Sequence, residues 1–122
     1  MMITLIAAST EASVTRVMDI LTPLGLDTRA VPSEEAAIET LQQEICGLAV
    51  IVGDPATVSR ICRRIRELDG ILPILVTGPF EVAEARIEVL NHGADDVVAW
   101  PCAREEFLAR VRTLIRRNPA QT

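Results

Sequence analysis

Lysine and tyrosine are absent from this sequence, and aromatic residues make up only 2% of it. Hydrophobic residues nonetheless account for 49% of the chain, so any core must consist mainly of leucine, isoleucine, valine and alanine. Such a core suits a parallel sheet covered by helices, because the strands of these sheets are continuous aliphatic runs. At 122 residues, the chain is predicted to form a single domain.

Long apolar segments and cysteine motifs are also missing. No stretch approaches the roughly 18 consecutive apolar residues of a membrane span, and residues 1–10 lack the basic flank of a secretory signal. The three cysteines, Cys46, Cys62 and Cys102, are far apart and form no CxxC or CxxH motif, which indicates reduced thiols. We therefore expect a cytoplasmic protein that makes no membrane contact.

Charge and residue type argue against several activities. A net charge of −5 disfavours direct nucleic-acid binding, which depends on neutralising phosphates. The sequence contains no GxxxxGK[ST] or GxGxxG phosphate loop and no metal-ligand motif. Its one histidine, His92, precedes a glycine that is expected to end a helix, a position typical of a solvated imidazole. We therefore predict no catalytic residue, metal, cofactor or enzymatic activity.

Aliphatic runs alternate with amphipathic segments along the whole chain. Ser33 and Asp54 are predicted N-caps, and Pro55 follows Asp54 at the first helical position. Residues 1–117 are expected to form the domain, and residues 118–122 a tail or the start of a linker. The predicted strands cover 3–8, 26–31, 48–52, part of 71–77, and 96–99; the predicted helices cover 11–24, 81–91 and 103–117, with two more beginning after Ser33 and Asp54.

This alternation predicts an α/β fold, a (βα)5 doubly wound five-stranded parallel sheet with helices on both faces. Ligands of such sheets bind where the strands end, near the switch in strand order. Functional residues should therefore follow Ala8, Val52, Thr77 and Ala99.

Three segments resemble the receiver domains of bacterial response regulators. Residues 93–102 (GADDVVAWPC) and 105–112 (EEFLARVR) are similar to the closing segment of the OmpR/PhoB-type subfamily, GADDYLxKPFxxxELxARVRxLLRR. Residues 73–78 (PILVTG) resemble the family's fourth strand, PxxxLTA, with one residue fewer, and residues 61–66 resemble its third helix. The resemblance covers nearly the whole chain and implies the CheY/flavodoxin-like fold.

The resemblance also locates the residues of the family's phosphorylation reaction. That reaction uses an acidic pair after the first strand to hold Mg²⁺, which prefers oxygen ligands, and an aspartate after the third strand. Here the acidic pair falls on Ala8 and Ser9, and the aspartate falls on Val52 or Gly53. The resemblance therefore implies a receiver that has lost its metal site and its phosphoacceptor.

Two further positions bind phosphoryl oxygens in the family. The threonine is kept as Thr77, whereas the lysine is replaced by Trp100, and no lysine exists elsewhere in the chain to replace it. We expect Trp100 to fill or cover the vacated site, with an exposed tryptophan as the alternative, and we expect a cis peptide bond before Pro101. Asp54, predicted to be a helix cap, is the residue that could still accept a phosphoryl group.

OmpR/PhoB-type receivers dimerise through the fourth helix, fifth strand and fifth helix, which carry charge pairs around an apolar patch. All six charges at the corresponding positions have the required sign, and a two-fold interface must encode both partners on one surface. The resemblance implies the pairs Arg86 with Glu106, Asp95 with Arg112, and Asp96 with Arg110, around a patch of Ile87, Leu90 and Leu108.

Together these features predict a phosphorylation-independent receiver of two-component signalling that forms a homodimer. The subfamily implies a winged-helix DNA-binding output after Thr122, which would make the DNA contacts, and a histidine kinase or other protein partner. Three alternatives remain open: a stand-alone adaptor, a conventional phosphoacceptor using Asp54, and a thiol or ligand sensor near Cys102.

Overall fold

The structure of the protein is a computed structural model that describes residues 2–117. The predicted tail, residues 118–122, lies outside the described residues. No helix within 2–117 has the length and apolar character needed to cross a bilayer. The elements are β1 (Ile3–Ala8), α1 (Glu11–Leu21), a 3₁₀ turn (Thr22–Leu24), β2 (Thr28–Val31), α2 (Glu34–Gln43), β3 (Cys46–Val52), α3 (Pro55–Leu68), β4 (Ile74–Gly78), α4 (Ala83–Asn91), β5 (Asp96–Ala99) and α5 (Arg104–Arg117).

The five strands form one parallel sheet in the order β2-β1-β3-β4-β5, which confirms the predicted fold. The strand order reverses between β1 and β3, so the switch point lies where these two strands end. Ala8 pairs with Val52, Val52 with Thr77, and Thr77 with Val98, so the carboxyl ends of four strands lie in one row.

The sheet is buried on both faces, because successive side chains of each strand point to opposite sides. Leu5 and Ile51 pack with the helices α2, α3 and α4, whereas Ile6 and Val50 pack with α1 and α5. The five inner residues of β3 are all buried. This two-sided burial explains why the strands are uninterrupted aliphatic runs in the sequence.

Local sequence sets the helix ends. Ser33 accepts a hydrogen bond from the amide of Ala36, and Asp54 accepts one from the amide of Thr57, so both predicted caps are confirmed. The first helix was predicted to reach residue 24, but it tightens to a 3₁₀ turn after Leu21. Pro23 lies in that turn, where it has no N–H to continue the α-helical ladder.

Arg66, on α3, joins the α3–β4 loop to the α4–β5 loop at the edge where the strands begin. Its guanidinium donates to the carbonyls of Gly93 (2.9 Å) and Leu72 (2.6 Å) and to the Asp95 carboxylate (2.9 Å). Asp95 also accepts the amide of Ile74 at 2.8 Å. A Cβ at Gly93, where φ is +119°, would lie 2.5 Å from the Arg66 Cγ, so a side chain there would displace the arginine. Arg66 thereby connects α3 to the starts of β4 and β5.

Replacing Arg66 by alanine should lower the free energy of unfolding by about 2 kcal/mol or more, because several acceptors lose a charged donor. Urea denaturation of both proteins measures the difference. Arg63, on the same helix, is exposed, so Arg63→Ala is a matched control expected to change the value by less than about 0.5 kcal/mol. Equal effects of the two substitutions would contradict the role assigned to Arg66.

Candidate functional site

The predicted phosphorylation site is a row of side chains at the carboxyl ends of the strands. Strand alternation directs Ala8, Val52 and Thr77 to the α1/α5 side of the sheet, the side on which Val98 also packs. Ala8 is 5% exposed and Thr77 is completely buried. The residues predicted to be equivalent to the reacting groups are therefore brought together, as small apolar neighbours of one threonine.

This row does not fit a magnesium ion. Magnesium is usually bound through one or two carboxylates, and Ala8, Ser9, Val52 and Gly53 provide none. Across residues 2–117 no group of three histidine, cysteine or acidic side chains is arranged to hold a metal. No phosphoryl-transfer step through a metal can be derived for this site.

Position 77 carries the threonine expected from the resemblance to receiver domains, but this threonine has no hydrogen-bond partner for its side chain among residues 2–117. Its hydroxyl is buried, and no described residue forms a hydrogen bond with it. The residue after Thr77 is a glycine because the loop after β3 comes very close to it. A Cβ at Gly78 would lie 2.1 Å from the carbonyl oxygen of Gly53. The end of β4 is therefore tightly packed against the end of β3.

Trp100 packs against the same apolar layer as Val52. Its ring meets Phe107 edge to face, with 5.8 Å between centroids, and the Arg16 guanidinium lies 5.3 Å from the ring centroid. A partly buried ring with these contacts excludes the alternative of a free surface tryptophan. The peptide bond before Pro101 is cis, as predicted.

Asp54 lies beyond the row, at the mouth of a cleft of about 210 Å³ between the β1, β2 and β3 ends. One carboxylate oxygen accepts the Thr57 amide at 3.0 Å and the other accepts the Thr57 hydroxyl at 2.8 Å. These bonds hold the pKa of Asp54 below its usual value, the amide having the larger effect. Both oxygens are thus engaged in capping α3.

Glu34 closes another side of this cleft. Its carboxylate pairs with Arg60 at 2.6 Å and with Arg64 at 2.5 Å, and these hydrogen bonds lower its pKa. The two ion pairs join the start of α2 to α3. The two carboxylates that line the cleft, Asp54 and Glu34, thus already have partners. Sequence reasoning missed the Glu34 pairs because the partners are 26 and 30 residues apart.

Solved structures of response regulators have the same fold as this chain. A two-component response regulator from Clostridium difficile matches with a TM-score of 0.85 at 20% identity, over 96% of this chain and 98% of that one. A CheY-like receiver domain protein from Methanospirillum hungatei JF-1 gives 0.86 at 14% identity, over 100% and 99%. The chain has the fold of response regulator receiver domains.

Sequence comparison gives the same indication over a shorter stretch. Response regulator MprA of Mycobacterium leprae is 44% identical over 58 residues, which are 48% of this chain and 25% of MprA. MprA of Mycobacterium avium matches with the same identity and coverage. The chain thus matches about a quarter of the length of these relatives. No protein-family profile matches it.

In this receiver fold, the predicted dimer surface lies on α4, β5 and α5. Ile87 and Leu90 are 56% and 43% exposed, whereas Leu108 is only 8% exposed and packs in the core beside α1. Leu108 therefore contributes little to an apolar surface patch. Its place on the inner face of α5, one residue after the buried Phe107, is the reason.

The charges of this surface already have partners within the chain. Arg110 pairs with Asp96 at 2.9 Å and with Glu106 at 3.0 Å, and Arg86 donates to the Phe80 carbonyl at 2.7 Å. Asp95 is held by Arg66, as described above. Any pairing between two copies must therefore share or replace these contacts.

Arg112 is exposed on α5, two residues after Arg110. Its pairing with Asp95 of a second copy stays a prediction. Arg110 and Arg117 line a groove with Asp95 and Asp96.

The thiol of Cys102 is not activated. Burial raises its pKa, and the nearby Glu106 carboxylate adds to the shift. Because the thiolate is the reactive form, a raised pKa gives no support to the sensor alternative.

Replacing Thr77 by valine should keep or raise the free energy of unfolding, by up to about 1 kcal/mol, since a methyl replaces a buried hydroxyl without a partner. Urea denaturation tests this. The control is Val76→Thr on the same strand, which buries a new hydroxyl and should cost about 1–3 kcal/mol. A clear loss of stability in Thr77→Val would show that the hydroxyl makes a stabilising bond.

Proposed function

We propose that this chain is a receiver domain of two-component signalling that works without phosphorylation and acts through protein contacts. The observation that carries the proposal is the row of strand-end side chains. Ala8 and Val52 occupy the positions at which a receiver needs an acidic metal site and a phosphoacceptor, and Thr77 beside them is buried. It follows that the domain has no enzymatic role.

Electrostatics support this proposal. A phosphoryl group carries negative charge that must be offset by a metal or a fixed cation in a site that excludes water. The chain contains no lysine, and the lysine position is Trp100. The Arg16 guanidinium lies against the Trp100 ring. A phosphoryl group placed beside Val52 and Gly53 would therefore find neither a metal site nor a lysine to offset its charge.

The packing of Trp100 suggests how the domain could stay in one signalling conformation. The ring bridges α5 through Phe107 and α1 through Arg16. Aromatic and cation–π contacts of this kind each contribute on the order of 1 kcal/mol. We infer that Trp100 holds the β5–α5 segment in one conformation, so that the α4-β5-α5 surface does not depend on a signal.

That surface is proposed to form a homodimer. Ile87 and Leu90 provide exposed apolar area on α4, and Arg86, Glu106, Arg110 and Asp96 surround it. Because exposed ion pairs contribute little affinity, these charges would set register and specificity. The proposed output is a DNA-binding domain attached to the chain, with a histidine kinase or another protein as partner in the bacterial cytoplasm.

Incubation with acetyl phosphate and Mg²⁺ should leave the intact mass of the protein unchanged, because no acidic pair is present to recruit the metal. Mass spectrometry at neutral pH detects a phosphate adduct directly. Asp54→Asn serves as the control, since asparagine keeps the helix cap but cannot accept a phosphoryl group. An adduct in the original protein that disappears in Asp54→Asn would overturn the proposal.

Sedimentation equilibrium without any phosphodonor should show a dimer. Ile87→Asp should dissociate it by placing a charge in the apolar centre of the interface, and Arg86→Glu should dissociate it by reversing a flanking charge. Met18→Asp is the matched control, since Met18 is 38% exposed on α1, outside the proposed surface. A monomer at all concentrations would contradict the homodimer and favour the stand-alone adaptor.

A further inference from the structure

A second exposed apolar surface lies at the opposite edge of the sheet, where the strands begin. Ile71, Ile45 and Leu68 are 77%, 67% and 47% exposed, and we call these three residues the amino-edge patch. Ile45 directly precedes β3, and Ile71 lies three residues before β4, the neighbouring strand. None of the three belongs to the phosphorylation site or to the proposed dimer surface.

The two loops that carry the patch lie beside each other. β3 and β4 are neighbouring strands, and the amide of Ala49 donates to the carbonyl of Pro73 at 2.9 Å, so the segments that precede the two strands run side by side. Asp69 follows Leu68 directly and precedes Ile71 by two residues. Ile45 and Ile71 therefore belong to one continuous surface.

The loop of Ile71 is fixed by hydrogen bonds. A carboxylate oxygen of Asp69 accepts the amides of Ile71 at 2.9 Å and of Leu72 at 3.0 Å. Arg66 donates to the carbonyls of Asp69 at 3.2 Å and of Leu72 at 2.6 Å. The Ile71 side chain is thus held away from the core by a bonded loop. A side chain already held in place loses less entropy on binding, which favours its use as an anchor.

The charged residues around the amino-edge patch determine which kind of partner can bind it. Glu44, Glu67 and Asp69 border the patch; Glu44 pairs with Arg29 at 3.2 Å, whereas Glu67 has no ion pair among residues 2–117. A second copy using the same patch across a two-fold axis would place these acids against each other, which disfavours self-association. Basic side chains around an apolar stripe would complement the patch.

A shallow groove of about 180 Å³ extends the patch toward α5. It is lined by Ile71, Pro73, Asp95, Leu114 and Arg117. The groove offers space beside the Ile71 side chain for a bound segment. An amphipathic helix presents holes between its side chains that can receive such a projecting residue.

We propose that the amino-edge patch is a docking surface for a basic amphipathic helical segment of a partner protein, with Ile71 as its anchor. Ile71, Ile45 and Leu68 lie outside the proposed dimer surface, whereas Asp95 in the groove is also one of the residues predicted for that surface. The proposal does not depend on dimerisation or on the state of the phosphorylation site.

Two synthetic helical peptides with the same leucine stripe test the proposal, one flanked by arginines and the other by glutamates. Fluorescence anisotropy with the 122-residue chain should show about tenfold or tighter binding of the arginine peptide. Ile71→Asp and Glu67→Arg should each weaken that binding about tenfold. Both positions are on the surface, and thermal unfolding checks that the variants remain folded.

Ile87→Asp is the matched control, because it places the same charge on the other exposed apolar surface and should leave peptide binding unchanged. Equal binding of the two peptides, absence of binding, or retention of binding by Ile71→Asp would each overturn the proposal. Loss of binding in Ile87→Asp but not in Ile71→Asp would assign the peptide to the α4 surface and would also overturn it.

Discussion

Burial of the sheet on both faces constrains the rest of this protein. The three central strands β1, β3 and β4 are almost entirely buried, so a polar side chain at their ends needs a partner or water. A working receiver meets this need with a metal, several carboxylates and a lysine. Here the strand ends carry Ala8 and Val52 instead, and the sheet stays apolar to its carboxyl edge. The residues at these positions thus extend the apolar core to the carboxyl ends of β1 and β3.

Thr77 interrupts this apolar row. No described residue forms a hydrogen bond with its hydroxyl, and a buried hydroxyl without a hydrogen bond is destabilising. The free energy lost there is small compared with the burial of the whole sheet. The residue type alone therefore does not reveal whether a side chain has the partners that a function would need.

Arginine side chains form the ion pairs and charged hydrogen bonds that connect the elements of this chain. A guanidinium offers several donors in one plane, so Arg66 can bind three carbonyls and a carboxylate at once, and Arg110 can bind two acids. A lysine ammonium has three donors around one point and would reach fewer of these groups. The cost of this arrangement is that charges such as Asp95 are already engaged. Their sign in the sequence therefore says little about whether they are free to bind a second copy.

The sequence alone determined the order of the strands and helices, the caps formed by Ser33 and Asp54, and the residue types at the strand ends. Those features depend on local pattern: aliphatic runs give strands, a Ser or Asp before a helix gives a cap, and a missing lysine cannot be supplied by folding. Tertiary structure alone decided that Leu108 is buried and that Glu34 binds Arg60 and Arg64. These features depend on which helix faces meet and on partners far apart in the chain, and such distances are set only when the whole sheet has assembled.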